Sequence, residues 1–247
     1  MADMNRLAEL RARQFPGLPL DCGAEAHPGI VDTEEWRDWT ERKTTPDQLR
    51  IENYLAGFDL SGKRILHVGV GNSGLAQRFA GRVKEIFGTT VVGAEAERGN
   101  NLGLSNYRVV VHNKYSKDVS EVPAGFDFIV DNNPSSFCCC LRHLVAALDF
   151  YASHLADGGQ VLGDRSGLAW AIDANPGWGF GLDDFAQVAA LAGLSCYRIN
   201  YDTFALAREE PLKPPPLWRA AIGLRSLRRR AAGKVSRMAG SLARASA

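Results

Sequence analysis

The chain has 247 residues, 45% of them hydrophobic, and a net charge of +1, enough for one α/β domain with a sizeable core and short additions at its ends. No stretch approaches the ~20 apolar residues that span a bilayer. The N-terminus MADMNRLAELRARQ is charged throughout and reads as no secretory signal, so the cytoplasm is the expected location.

In chain order, residues 1–14 form a short helix and residues 15–44 are irregular, punctuated by Pro16, Pro19, Gly23, Pro28 and Gly29. Trp36 and Trp39 stand in this stretch, as core cover or as pocket lining. Thr45-Pro46-Asp47-Gln48 reads as a helix start, with Thr45 as N-cap, Pro46 as first helical residue and Gln48 closing a capping box; the helix ends near Gly57. RILHVGV (64–70) is a buried strand, short, apolar and bounded by glycines. A helix over about 74–86, a strand over about 89–95, a short helix and a strand over about 107–112 follow. FDFIV (126–130) is another apolar strand, and Asn133-Pro134 is expected to cap a long helix striped by Phe137, Leu141, Leu144, Leu148 and Leu155. His143 and His154 fall off that stripe and read as solvated. Cys138, Cys139 and Cys140 would lie on this helix; side chains about 100° apart cannot jointly chelate one metal, and with Cys22 and Cys196 forming no CxxC pair all five cysteines read as reduced packing groups. A strand at 160–163, a helix at 182–192 and two closing strands near 195–201 and 203–207 complete the pattern.

Strands alternating with helices predict a doubly wound, mostly parallel seven-stranded sheet, with helices on both faces and a terminal antiparallel hairpin. The expected organisation is an N-terminal helix and irregular cap (1–44), the α/β domain (45–210), and a proline spacer with a basic tail (211–247). The tail holds nine Lys/Arg and no acid, which leaves 20 basic and 28 acidic residues before it. Leu224, Leu227, Ala231, Val235, Met238 and Leu242 recur there at helical spacing beside the arginines. A basic amphipathic helix suits an anionic membrane surface first, and nucleic acid, a partner subunit or the chain's own acidic domain as alternatives.

Function concentrates at HVGVGNSG (67–74), where Gly69, Gly71 and Gly74 form GxGxxG between a strand and a helix. Glycines permit a tight turn and close ligand approach, and the helix N-terminus offers unpaired N–H groups. Dinucleotide enzymes share this turn. Glu95, read as ending the second strand, can accept both hydroxyls of a ribose.

The succession HVGVGNSG, VVGAE, VVVHN, FDFIVDNNP and LADGGQVL resembles class I S-adenosylmethionine-dependent methyltransferases over roughly residues 45–208, and AGLSCYRIN resembles the family's entry into its sixth strand. The resemblance implies that Gly69, Gly71 and Gly74, with His67, Asn72 and Ser73 of the same turn, hold the methionine part of the cofactor. It implies that Glu95 binds the ribose, that Asn113 contacts adenine where Asp is usual, and that Asp131 lies near the methyl group. Two residues depart from the pattern: His67 replaces an acid that anchors the cofactor ammonium, and Asp157 replaces a proline.

Methyl transfer depends on holding donor and acceptor in line, with a base in some enzymes. Candidates at strand ends are His112, Asp131, Asn132, Asn133 and Asp164. A metal-dependent branch of the family places carboxylates near Asp131 and Asp164 around magnesium; Arg165 opposes a cation here, so magnesium is possible but not favoured. DNNPSSF (131–137) is similar to the Asn-Pro-Pro-Tyr/Phe signature of amino-methylating enzymes, lacking its second proline, and to methyltransferase-like proteins of bacterial glycan pathways. Trp170 and Trp178 flank a loop that often lids the acceptor site in the family. The expected function is methyl transfer to a small-molecule or carbohydrate acceptor, at oxygen, by a chain that could form a homo-oligomer. The alternatives are an NAD(P)-dependent oxidoreductase and a non-catalytic S-adenosylmethionine-binding module.

Overall fold

The structure, a computed structural model, describes residues 4–25, 39–116, 118, 120–135, 138–168 and 181–215. Trp36, Trp170, Trp178, Phe137 and the amphipathic stretch of the tail lie outside the described residues.

The elements are α1 (Met4–Gln14), α2 (Pro46–Leu55), β1 (Arg64–Val68), α3 (Gly74–Phe79), β2 (Glu85–Thr90), α4 (Gly93–Asn100), β3 (Tyr107–Val111), β4 (Phe126–Val130), α5 (Leu141–His154), β5 (Leu155–Asp164), α6 (Leu182–Leu191), β6 (Ser195–Arg198) and β7 (Thr203–Ala207). Short 3-10 turns follow α3 at Ala80–Arg82 and β5 at Arg165–Leu168. The strands form one seven-stranded sheet in the order β3-β2-β1-β4-β5-β7-β6. The first five are parallel, and β7 runs antiparallel to both β5 and β6. The predicted doubly wound sheet with an antiparallel end is therefore the observed one.

Alternating strand residues feed two cores, as the pleat requires. Leu66, Ile129, Val161, Phe204 and Leu206 pack with Leu7 and Leu10 of α1, Leu144 and Leu148 of α5 and Phe185 of α6. Ile65, Phe128, Val130, Leu162 and Ala205 pack on the other face with Ile51 and Leu55 of α2, Leu75 and Phe79 of α3 and Ala96 of α4.

The structure corrects several local expectations. The helix expected over 74–86 stops at Phe79, and the second strand is Glu85–Thr90. Pairing with β1 sets this register: Arg64 stands opposite Glu85, and Thr89 O accepts the N–H groups of Gly69 and Val70. Thr89 and Thr90 thus end the strand, and Glu95 lies in the first turn of α4. Thr45 is the N-cap of α2, but the capping box does not form; Gln48 turns inward and donates to Glu52 Oε1 at 3.2 Å. The long helix begins at Leu141, with Asn133-Pro134 well before it. Its N-terminal donors are satisfied by the N-terminal segment, Leu141 N–H donating to Pro19 O and Arg142 N–H to Leu20 O, both at 3.0 Å. Cys138, Cys139 and Cys140 consequently precede the helix. His143 and His154 are buried, the latter between the carbonyls of Phe150 and Val122.

Candidate functional site

The sheet order reverses between β1 and β4, which opens a crevice at the carboxyl ends of the parallel strands, the general ligand position in this architecture. A cavity of about 500 Å³ occupies it. Nine of the twelve site residues expected from sequence line this cavity: His67, Gly69, Gly71, Asn72, Glu95, His112, Asn113, Asp131 and Asn132. Ser73, Gly74 and Asp164 do not, and Asn133, also named as a candidate, does.

The glycine turn is built for close approach. Gly69 and Gly71 adopt φ of +73° and +50°, conformations that side chains disfavour. Ser73 shares the left-handed region at φ +55°, but its hydroxyl is buried 2.9 Å from the Tyr107 hydroxyl and faces away from the crevice. Asn72 ties the turn to the segment above it: its Nδ2 donates to Arg42 O at 2.7 Å and its Oδ1 accepts the Gly74 N–H at 2.9 Å. Trp39, Arg42, Lys43 and Thr44 thereby cover one side of the cavity.

Each predicted carboxylate has a definite environment. Glu95 accepts the Trp39 N–H at 2.9 Å and the Thr90 hydroxyl at 2.5 Å, and it is 4% exposed. Asp131 is a buried hub: Oδ1 accepts the Asn133 N–H at 2.8 Å, while Oδ2 accepts Lys114 Nζ at 2.7 Å and the Tyr151 hydroxyl at 2.6 Å. Asp164 is fully buried and takes both Arg50 Nε and Nη2 at 2.7 Å, a bidentate pair that raises the Arg50 pKa further. Cationic side chains thus already neutralise both carboxylates that a magnesium site would need. Asn132 reaches across to Asp47 at 3.2 Å, and Asn113 Oδ1 accepts the Tyr115 N–H at 3.0 Å.

Two histidines in the cavity are neutral at physiological pH. Burial pushes His67 down to about 4, against a smaller opposing pull from Asp131. Burial and then the neighbouring His154 push His112 to about 4 as well, Asp118 opposing. His112 stacks on Phe150 with ring centroids 5.2 Å apart, and its Nε2 is buried with no hydrogen-bond partner among the described residues. His67 stands where the family places an acid. Glu52 of α2 also lines the cavity; it shares Gln48 Nε2 with His67, at 3.2 Å and 3.4 Å respectively, and pairs with Arg78 at 3.1 Å. Sequence reasoning missed Glu52, Gln48, Lys114, Tyr151 and Arg50. Lys114 alone carried a signal, directly after a strand end and a predicted cofactor residue.

No protein-family model and no curated protein matches the chain. Solved structures do. An S-adenosylmethionine-bound amino pentose methyltransferase from Micromonospora echinaspora, involved in calicheamicin biosynthesis, superposes with a TM-score of 0.52 at 14% identity, covering 74% of this chain and all of that one, 100%. A TehB-like S-adenosylmethionine-dependent methyltransferase from Corynebacterium glutamicum superposes with a TM-score of 0.50 at 18% identity, covering 70% of this chain and 92% of that one. The chain has the class I, Rossmann-like fold of S-adenosylmethionine-dependent methyltransferases.

Proposed function

We propose that the chain is an S-adenosylmethionine-dependent methyltransferase acting at oxygen on a small polar acceptor of carbohydrate type. The observation that carries this reading is the convergence of the glycine turn, Glu95, His112, Asn113 and Asp131 on one cavity at the switch point of the sheet. The cavity also lies within the usual size of small-molecule sites, about 300–1,000 Å³. The residues fit the cofactor: Gly69 and Gly71 leave room for it against the backbone, and the buried Glu95 carboxylate can accept ribose hydroxyls. When bound, S-adenosylmethionine supplies an electrophilic methyl group on a positively charged sulfur.

The chain's own residues then orient and shield. Trp39 and Arg42 line the cavity beside the glycine turn. Asp131 is tied in place by Lys114 Nζ and the Tyr151 hydroxyl, so it serves to position the groups around it. His112 lines the cavity, its imidazole kept neutral there by burial, which pushes its pKa down to about 4. The likeness to the amino pentose methyltransferase supports only the fold; the carbohydrate reading rests on the polar lining by Asn113, Asn132 and Asn133 and on the DNNPSSF resemblance.

Calorimetry with S-adenosylhomocysteine and with NAD tests the reading. Binding of the first and not of the second is expected. NAD binding without S-adenosylhomocysteine binding overturns it in favour of an oxidoreductase.

A further inference from the structure

Where the start of α5 meets the N-terminal segment, four soft ligands come together. Cys22, Cys139, Cys140 and His143 place their Sγ and Nδ1 atoms within 4.8 Å of one another. Cys139 Sγ lies 3.4 Å from Cys22 Sγ, 4.0 Å from Cys140 Sγ and 2.9 Å from His143 Nδ1. His143 Nδ1 is also 3.5 Å from Cys22 Sγ and 3.3 Å from Cys140 Sγ. A tetrahedral zinc ion with Zn–S of about 2.3 Å and Zn–N of about 2.05 Å has S–S edges of about 3.8 Å and N–S edges of about 3.6 Å. The S–S separations lie on either side of the first value and the N–S separations fall somewhat short of the second, differences that small side-chain rotations take up.

The reason lies in the start of α5. Because the helix begins at Leu141, Cys139 and Cys140 lie in the non-helical run before it, where they escape the 100° spacing that would part them on a helix. His143 in the first turn then points back toward them. Cys22 arrives from a distant part of the chain, carried by the Pro19–Leu141 and Leu20–Arg142 backbone bonds. Cys138 is not a member; it is buried with its thiol on Cys140 O.

We propose that Cys22, Cys139, Cys140 and His143 form a structural zinc site that clamps the N-terminal segment to the start of α5. Four protein ligands leave no open position, so the site is closed and structural. Zinc with three thiolates and a neutral imidazole carries one net negative charge, and Arg142, paired with Asp21 at 2.8 Å, stands beside the cluster. Binding releases the thiol protons to solvent, and no oxidant or reductant is consumed. Cys22 is exposed, which gives the metal an entry path.

The test uses the full chain, reduced, incubated with zinc and desalted. One zinc per chain by elemental analysis is expected, with Cys139→Ser and His143→Ala showing a roughly hundredfold or greater loss of affinity and Cys196→Ser binding as the parent does. X-ray absorption of the zinc-loaded parent keeps the test independent of whether the variants fold: three sulfur neighbours and one nitrogen are expected. Slowed amide exchange at Leu141 and Arg142 on zinc addition is expected from the clamp. Absence of stoichiometric metal, or a shell of oxygen and nitrogen alone, overturns the proposal. So does a Cys22–Cys139 disulfide in the untreated protein together with no zinc uptake after reduction, which assigns the pair to redox chemistry.

Discussion

The Trp39 backbone N–H donates to Glu95 Oε1 at 2.9 Å, joining the segment that precedes α2 to the first turn of α4 across the mouth of the cavity. The ribose-binding acid expected at a strand end is thus held instead by a covering segment. Glu95→Ala leaves the Trp39 N–H and the buried Thr90 hydroxyl without this acceptor, at about 1–3 kcal/mol for each unpaired group. S-adenosylhomocysteine affinity is expected to fall about tenfold or more, the equivalent of one charge-assisted hydrogen bond. Unchanged affinity by calorimetry in the folded variant would show that Glu95 only anchors the cover.

Gly71→Ala tests the turn. Its φ of +50° costs a side chain about 1–2 kcal/mol, and the added Cβ would meet Trp39 Cβ at 3.5 Å. Weaker S-adenosylhomocysteine binding with a melting temperature lowered by a few degrees is expected. A variant as tight and as stable as the parent places the cofactor elsewhere.

The two cavity histidines predict a pH dependence of stability. Both have folded values near 4, below the ordinary 6.5. Between pH 6.5 and 4 the unfolded chain binds more protons than the folded one, so stability is present above 6.5 and is lost as pH falls through this window. For the buried His67 the loss is on the order of 3 kcal/mol. Urea unfolding at pH 7 and pH 4.5 measures it, and His67→Gln should flatten part of the slope. A pH-independent midpoint across the window would refute the assignment.

Asp164 is expected to be structural. Replacing it with Ala strands Arg50, whose side chain is 16% exposed, and should cost about 3 kcal/mol, the lower end for a broken buried pair. A double variant, Arg50→Met with Asp164→Leu, should recover much of that loss. Failure of the double variant to exceed the single one in thermal unfolding counts against an ion pair as the cause.

The basic segment 211–247 is proposed to attach the chain to anionic membrane. Each Lys or Arg near such a surface contributes about 1 kcal/mol, and the segment holds nine. Among the described residues no helix is long and apolar enough to cross a bilayer, so attachment would be peripheral. Full-length protein should sediment with anionic liposomes at low salt and residues 1–210 should not. If both stay in the supernatant, RNA or a partner subunit becomes the better reading of the charge.

Sequence alone was sufficient for the sheet, the place of the glycine turn and ten of the residues that line the crevice. Strand and helix periods are local, and GxGxxG between a strand and a helix at the sheet's switch point leaves little freedom for where the turn points. Where pairing between distant strands decides, local patterns failed: the second strand is Glu85–Thr90 and not about 89–95, because the ladders to β1 and β3 set its register. Partners from other elements were equally hidden. Lys114 and Tyr151 converge on Asp131, and Arg50 on Asp164, from positions that no spacing rule connects. The cysteine cluster shows the same limit most sharply. Read on a helix, Cys139 and Cys140 diverge; the N-terminal segment caps α5 at Leu141, and this tertiary contact alone leaves them in non-helical chain and carries Cys22, over a hundred positions earlier, to their side.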